Sequence, residues 1–266
     1  MSAVRAEQGA GRIEAAFASH GKRAALMPYL MGGYPSVEVS RAAGEAAIDA
    51  GADLIELGIP FSDPLADGPV IHAAGTAALT AGVTPADVLG ICAALSARVP
   101  IALMVYANVV LVDGAQSFAD RAAAAGAAGL IVPDVPQEEA PAVRAACDAA
   151  GLALIPLVAP SSTPARVTEI GREARGFIYA VSLAGTTGER AELPPELPQL
   201  VERVRAATSV PVAVGFGIST AEQAGSVGEL ADGVIVGSRV VRAAGEGGAE
   251  AVGAVVADLA EGLSLR

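Results

Sequence analysis

The chain has no tryptophan, one lysine, two histidines and two cysteines among its 266 residues, and aromatic side chains make up only 3%. Each shortage removes a class of chemistry. A Schiff-base aldolase needs a lysine inside its fold, and Lys22 precedes the first strand-like run. A zinc aldolase or hydrolase draws on imidazole, and His20 and His72 offer little of it. Carbon–carbon chemistry here would run on carboxylates, with no metal expected. His72, just past a loop, reads as a surface or helix-start residue. Cys92 and Cys147 form no CxxC and fall in helix-like stretches, so they read as small buried residues in a reduced compartment. The longest nearly apolar run, Val99–Val112, is interrupted by Asn108 and is too short to span a bilayer. The N-terminus lacks the apolar core of a signal peptide. The expected location is the cytoplasm.

Basic charge is also scarce. Lys and Arg number 17 against 29 Asp and Glu, giving a net charge of −12. That disfavours nucleic acid and anionic membrane surfaces as partners. It leaves phosphate open, because backbone N–H groups at helix N-termini hold phosphate without cationic side chains.

What is present is apolar material, 53% of the chain, arranged in a repeating order. Short apolar runs are predicted as strands at Ala25–Met31, Asp53–Ile59, Ile101–Tyr106, Gly129–Val132, Leu152–Val158, Gly176–Val181, Val210–Phe216 and Gly233–Val236. They lack strict alternation, as strands covered on both faces do. Helical stretches lie between them. Ser36, Thr84-Pro85 and Thr163-Pro164 mark helix starts, and Ser219-Thr-Ala-Glu222 fits a capping box. Gly51, Gly126 and Gly151 follow alanine-rich stretches, where C-caps are expected. Eight β-α units in series predict an α/β fold, a single closed (β/α)8 TIM barrel over residues 1–266, with a lead-in helix at 3–19. An open doubly wound sheet is the other arrangement this alternation allows. Two loops exceed what a barrel needs, 60–83 and 182–197, and long βα loops sit on a barrel's catalytic face.

The first of those loops follows the segment of greatest interest, residues 54–69. Glu56 is the lone acid in an otherwise apolar strand, pointing the same way as Leu54 and Gly58. A buried acid is rare unless paired or functional. Shielded from water, Glu56 would give and take a proton. Asp67, on the loop, would stay ionised and stabilise positive charge on a substrate. The bland alternatives are a bonded core Glu and an Asp capping a turn. Asp63, before a proline, suits a turn. Gly215-Phe216-Gly217-Ile218-Ser219 and Val236-Gly237-Ser238 close strand-like runs and open helices, with Gly185-Thr186-Thr187-Gly188 as a third wall. Such loops build phosphate sites in barrels. Tyr106 and Tyr179 are either core filling or site residues.

Glu-Leu-Gly-Ile-Pro-Phe-Ser-Asp-Pro-Leu-Ala-Asp-Gly-Pro (56–69) resembles the signature of the tryptophan synthase alpha subunit family. Met-Val-Tyr-Ala-Asn, Val-Pro-Asp-Val-Pro, Thr-Thr-Gly, Gly-Phe-Gly-Ile-Ser and Val-Gly-Ser follow in the family's order, over roughly Ala25 to Val240. The resemblance implies a (β/α)8 barrel that cleaves indole-3-glycerol phosphate to indole and glyceraldehyde 3-phosphate, a retro-aldol step with no cofactor. It implies Glu56 as general acid/base, Asp67 as the carboxylate on the indole N–H, and Tyr179 beside Glu56. Phosphate would sit on Gly188, Gly217, Gly237 and Ser238. Tyr29, Met104, Ile131, Leu157, Phe216 and Ile235 would line the indole pocket, and Thr187 would fasten its loop over Asp67. The implied partner is a pyridoxal-phosphate beta subunit in an α2β2 complex, faced by Asp63 and the segment around Asn108. Departures from some members are Tyr29 for Phe, Pro133 for a small residue and Leu183 for Arg. The absence of tryptophan would suit an enzyme that makes it.

Two other readings compete. Another sugar-phosphate barrel, an isomerase or decarboxylase, would usually carry a Lys or His in the barrel. A non-catalytic activating subunit would not need both carboxylates.

Overall fold

The structure, a computed structural model, describes residues 2–181, 195–215 and 217–265. Nine strand pieces are present among them: β1 (Ala25–Met31), β2 (Ile55–Gly58), β3 (Ile101–Met104), β4 (Gly129–Ile131), β5 (Ala153–Leu154), β6 (Leu157–Val158), β7 (Ile178–Val181), β8 (Val212–Gly215) and β9 (Gly233–Val236). The helices are α1 (Ser2–Ser19), α2 (Val37–Asp49), α3 (Pro69–Thr80), α4 (Pro85–Leu95), α5 (Ala107–Leu111), α6 (Ala115–Ala124), α7 (Pro141–Ala150), α8 (Pro164–Glu173), α9 (Leu197–Arg205), α10 (Ala221–Gly228) and α11 (Ser238–Gly262).

All pairings are parallel, in the order β5-β4-β3-β2-β1-β9-β8-β7-β6. The two ends of that order are consecutive in the chain. Ile155 N–H continues the ladder to Leu130 at 2.9 Å, and Pro156 carbonyl accepts from Tyr179 N–H at 3.0 Å. The predicted strand Leu152–Val158 is thus one stave in two pieces. Pro156 has no N–H to give, so the ladder breaks at that point. Through this stave the sheet closes on itself, and nine pieces make eight barrel positions.

Alternation sets what faces inward. On β2, Ile55 and Leu57 pack outward against the helices, while Leu54, just ahead of the strand, joins the interior cluster. Met27, Ala102, Ile131, Ala153, Tyr179, Ala213 and Ile235 fill that interior, which is why small side chains are so frequent there. The lead-in helix is present and closes one end. Ala10, Ile13 and Phe17 of α1 enter the interior cluster, and Phe17 packs on Phe177 at 5.6 Å. Glycine makes this approach possible: a Cβ at Gly9 would stand 2.1 Å from the Ala128 carbonyl oxygen. The one lysine is structural. Lys22 pairs with Asp53 at 2.8 Å, and Asp53 accepts Leu26 N–H at 2.7 Å, pinning β1 to the approach of β2.

Several sequence expectations shift. Residues 60–83 are not one long loop, because 69–80 form α3. Pro69 starts that helix, and Ile71, Ala74, Gly75 and Ala78 give it a buried face. The capping box of α10 begins at Thr220 rather than Ser219, with Gln223 in the answering position. Thr220 has the extended backbone a cap requires, and its hydroxyl accepts from Gln223 N–H. Ser36, Thr84 and Thr163 cap as expected. Gly151 is a left-handed C-cap, whereas Gly51 and Gly126 stand one residue past theirs, also at positive φ. Of the predicted loop 182–197, residues 182–194 lie outside the described residues, and α9 begins at Leu197. Cys92 and Cys147 are buried free thiols on α4 and α7.

Candidate active site

β2 delivers Glu56 to the barrel interior between Tyr29 of β1 and Ala102 of β3, its register partners. The side chain is 1% exposed, and neither carboxyl oxygen has a hydrogen-bond partner among the described residues. A fully buried carboxylate without donors is strongly penalised. Burial therefore pushes the Glu56 carboxyl up to about 8, with the charge of Asp67 adding to the rise. At neutral pH it holds its proton and can deliver it.

Asp67 reaches the same space from the loop after β2. The turn is held by Asp67 N–H to the Pro64 carbonyl at 3.1 Å, and α3 starts immediately after Gly68. Burial pushes its carboxyl up to about 6, while a hydrogen bond from Tyr106 and the nearby His72 pull the other way. Tyr106 was the residue whose role the sequence left open. Its hydroxyl donates to Asp67 Oδ1 at 3.1 Å and accepts Ala66 N–H at 3.1 Å, and its ring stacks on Phe61 at 5.1 Å. The signal was its position at the end of a strand, two residues past Met104. His72 is exposed on α3, as expected for a surface helix residue.

Two more tyrosines face inward, Tyr29 on β1 and Tyr179 on β7. Each lies over a glycine on the neighbouring strand. A Cβ at Gly58 would meet the Tyr29 hydroxyl at 2.1 Å, and one at Gly215 would meet the Tyr179 hydroxyl at 2.5 Å. Burial, then the charges of Glu56 and Asp67, hold the Tyr179 phenol well above its usual range.

The glycine-rich ends converge. β8 and β9 pair, with Gly215 beside Ile235. Gly217 then turns the chain at φ 67°, and Gly237 caps α11 directly ahead of the buried Ser238. Gly217, Gly237 and Ser238 thus gather at the same end of two neighbouring staves. The apolar candidates also gather. Ile131, Ile235 and Tyr179 share the interior cluster with Met104 and Leu157 packed on it, and Met104 also touches the cluster holding Tyr29. Thr187, Gly188 and Phe216 lie outside the described residues. Asp63 is exposed and takes a hydrogen bond from Ser62 at 2.5 Å. Asn108 is exposed on α5. Around them stand apolar side chains in water: Leu65 is 88% exposed, Leu111 51% and Val112 74%.

A cavity of about 450 Å³ lies elsewhere, on the outer wall between α7 and α8, lined by Val143, Arg144, Arg166 and Ile170 among others. It contains neither carboxylate. Among the described residues, no group of three or more His, Cys, Asp or Glu is placed to hold a metal ion.

Residues 16–261 match the family model described as tryptophan synthase alpha chain. The chain is 46% identical over 252 residues to the tryptophan synthase alpha chain of Synechococcus elongatus, covering 94% of each chain. It is 48% identical over 245 residues to that of Acidothermus cellulolyticus, covering 91% of this chain and 92% of the relative. Among solved structures, Mycobacterium tuberculosis tryptophan synthase superposes with a TM-score of 0.90 at 43% identity, over 96% of this chain and 99% of that one. The alpha subunit from Legionella pneumophila does so at 0.85 and 35% identity, over 95% and 98%.

Proposed function

The chain belongs to the tryptophan synthase alpha chain family, and from that premise we propose how its residues divide the family's reaction. The enzyme is an indole-3-glycerol-phosphate lyase: it releases indole and glyceraldehyde 3-phosphate, and the indole passes to a beta subunit.

In our reading, Glu56 protonates C3 of the indole ring. Asp67 holds the ring N–H and balances the positive charge this creates. Glu56, now ionised, takes the proton of the hydroxyl on the carbon next to the ring. That oxygen forms a carbonyl, the carbon–carbon bond breaks, and its electron pair returns to the ring. Glu56 ends protonated again, so the cycle closes. The observation that carries this assignment is the buried, unbonded Glu56, raised to about 8 and set beside Asp67. An acid that must give and then take a proton needs a pKa near the working pH.

Tyr179 stands beside Glu56. Phosphate binds Gly188, Gly217, Gly237 and Ser238, with α11 contributing backbone N–H groups at its start. Tyr29, Met104, Ile131, Leu157, Phe216 and Ile235 flank the indole, and Thr187 fastens its loop over Asp67. The beta subunit covers Asp63 and Asn108, supported by the exposed Leu65, Leu111 and Val112 nearby. The whole chain, 1–266, acts as one barrel domain within an α2β2 complex in the cytoplasm. Free buried cysteines suit that compartment.

The test is indole release from indole-3-glycerol phosphate by the purified chain, with and without a beta subunit, for the parent and for Glu56→Gln. The expected result is release that rises with the partner and falls at least roughly 100-fold in the variant while substrate still binds. Full turnover by Glu56→Gln would overturn the assignment.

A further inference from the structure

Tyr29 and Glu56 are register partners on β1 and β2, both facing the interior, and their polar ends are incomplete in complementary ways. Among the described residues, neither oxygen of Glu56 has a hydrogen-bond partner. The Tyr29 hydroxyl donates to the Met31 sulfur at 4.0 Å, a weak acceptor at long range. That hydroxyl lies over Gly58, one inward position beyond Glu56 along β2, so hydroxyl and carboxyl occupy successive positions on one inner face. Tyr29 is 4% exposed. Burial, then the charges of Asp67 and Glu56, hold the phenol well above its usual range, so it keeps its proton and acts as a donor.

A buried donor beside two buried acceptors, not bonded to one another, suits a group that accepts from the first and donates to the second. A hydroxyl does both. On the proposed assignment the substrate brings one to this place, on the carbon that is bonded to the ring by the bond that breaks. We propose that the Tyr29 hydroxyl donates a hydrogen bond to the oxygen of that substrate hydroxyl while Glu56 removes its proton. This rests on the assignment of Glu56 as the acid/base. As the O–H proton moves to the Glu56 carboxylate, the oxygen gains negative charge before the carbonyl is complete. A fixed donor aimed at that oxygen is stronger in the transition state than in the bound substrate, which is the condition for raising turnover. Tyr29 keeps its own proton throughout, so no further acid or base is needed. Gly58 is part of the device, since any Cβ there would displace the hydroxyl.

The experiment compares the parent, Tyr29→Phe and Glu56→Gln on indole-3-glycerol phosphate, and measures the affinity of each for 3-indolylpropyl phosphate, the substrate skeleton without hydroxyls. For Tyr29→Phe the proposal expects kcat to fall roughly 10- to 100-fold. KM changes little, and affinity for the hydroxyl-free analogue is unchanged. Unchanged kcat in Tyr29→Phe, with Glu56→Gln inactive, overturns the role of Tyr29 and leaves the acid/base reading standing. A loss of analogue affinity matching the loss of kcat also overturns it, by showing a packing role. Full turnover by Glu56→Gln overturns both.

Discussion

The Tyr106 hydroxyl bridges two parts of one loop, donating to Asp67 Oδ1 and accepting from Ala66 N–H, each at 3.1 Å. Tyr106 itself caps α5, so the carboxylate is tied to a second stave of the barrel. Tyr106→Phe keeps the ring on Phe61 and removes both bonds. A lost hydrogen bond to a charged group is worth about 1.5–3 kcal/mol. We expect kcat/KM to fall roughly tenfold or more. The bond holds the Asp67 carboxyl down, so its loss should also move the acid limb of the pH profile upward.

The two carboxyls set opposite limbs of that profile. In the proposed division of roles Asp67 acts ionised to balance the indole cation, so activity should be lost as pH falls through about 6. In the same proposal Glu56 begins protonated, so activity should be lost as pH rises through about 8. A bell between those limits is expected in kcat/KM. The charge of Asp67 is one cause of the raised Glu56 value. Asp67→Asn should therefore shift the alkaline limb of its residual activity to lower pH. An alkaline limb that stays in place would separate the two groups.

Glu56 should cost the fold stability at the pH where it works. Its folded pKa, about 8, lies above the ordinary 4.5. Between those values the native state binds the proton more tightly than the unfolded chain, so stability falls as pH rises through the window. The group costs nothing below the window and roughly 3 kcal/mol at pH 7. Glu56→Gln should then raise Tm clearly at pH 8 and hardly at pH 4. Equal gains at both would mean that burial of charge is not the cause.

The exposed Leu111 and Val112 bear on the partner. With Leu65 they make three large exposed apolar side chains close in sequence to Asp63 and Asn108, a surface that gains from being covered. Leu111→Asp should weaken the affinity for the beta subunit about tenfold or more, measured by titrating the partner against activation. Unaltered affinity would place the interface elsewhere.

The barrel was legible because eight β-rich runs alternate with helical stretches, several of which carry a start signal. Thr84, Thr163 and Ser36 mark those starts in both sequence and structure. Glu56 was legible too, since one acid in an apolar strand has a side to face. What the sequence hid depended on the third dimension. Pro156 looks like any strand-end proline, yet it divides the stave through which the barrel closes. Helix α3 was hidden by the prolines around it, and its burial pattern only gains meaning against Met31 and Val241. Tyr106 could not be assigned, because its partner, Asp67, lies 39 positions away. The same holds for Tyr29 and Gly58, whose fit depends on register across two strands.

Helix α1 has a consequence for traffic. With Ala10, Ile13 and Phe17 filling one end of the barrel, and packed side chains filling its middle, that end is sealed by α1. On the proposed assignment, reactant and products are expected to exchange at the other end, where the chain carries Asp67, Gly217 and Ser238. Whatever closes over that rim therefore governs admission, water exclusion and departure together. Indole, the apolar product, meets whatever protein lies at the rim before it meets bulk solvent.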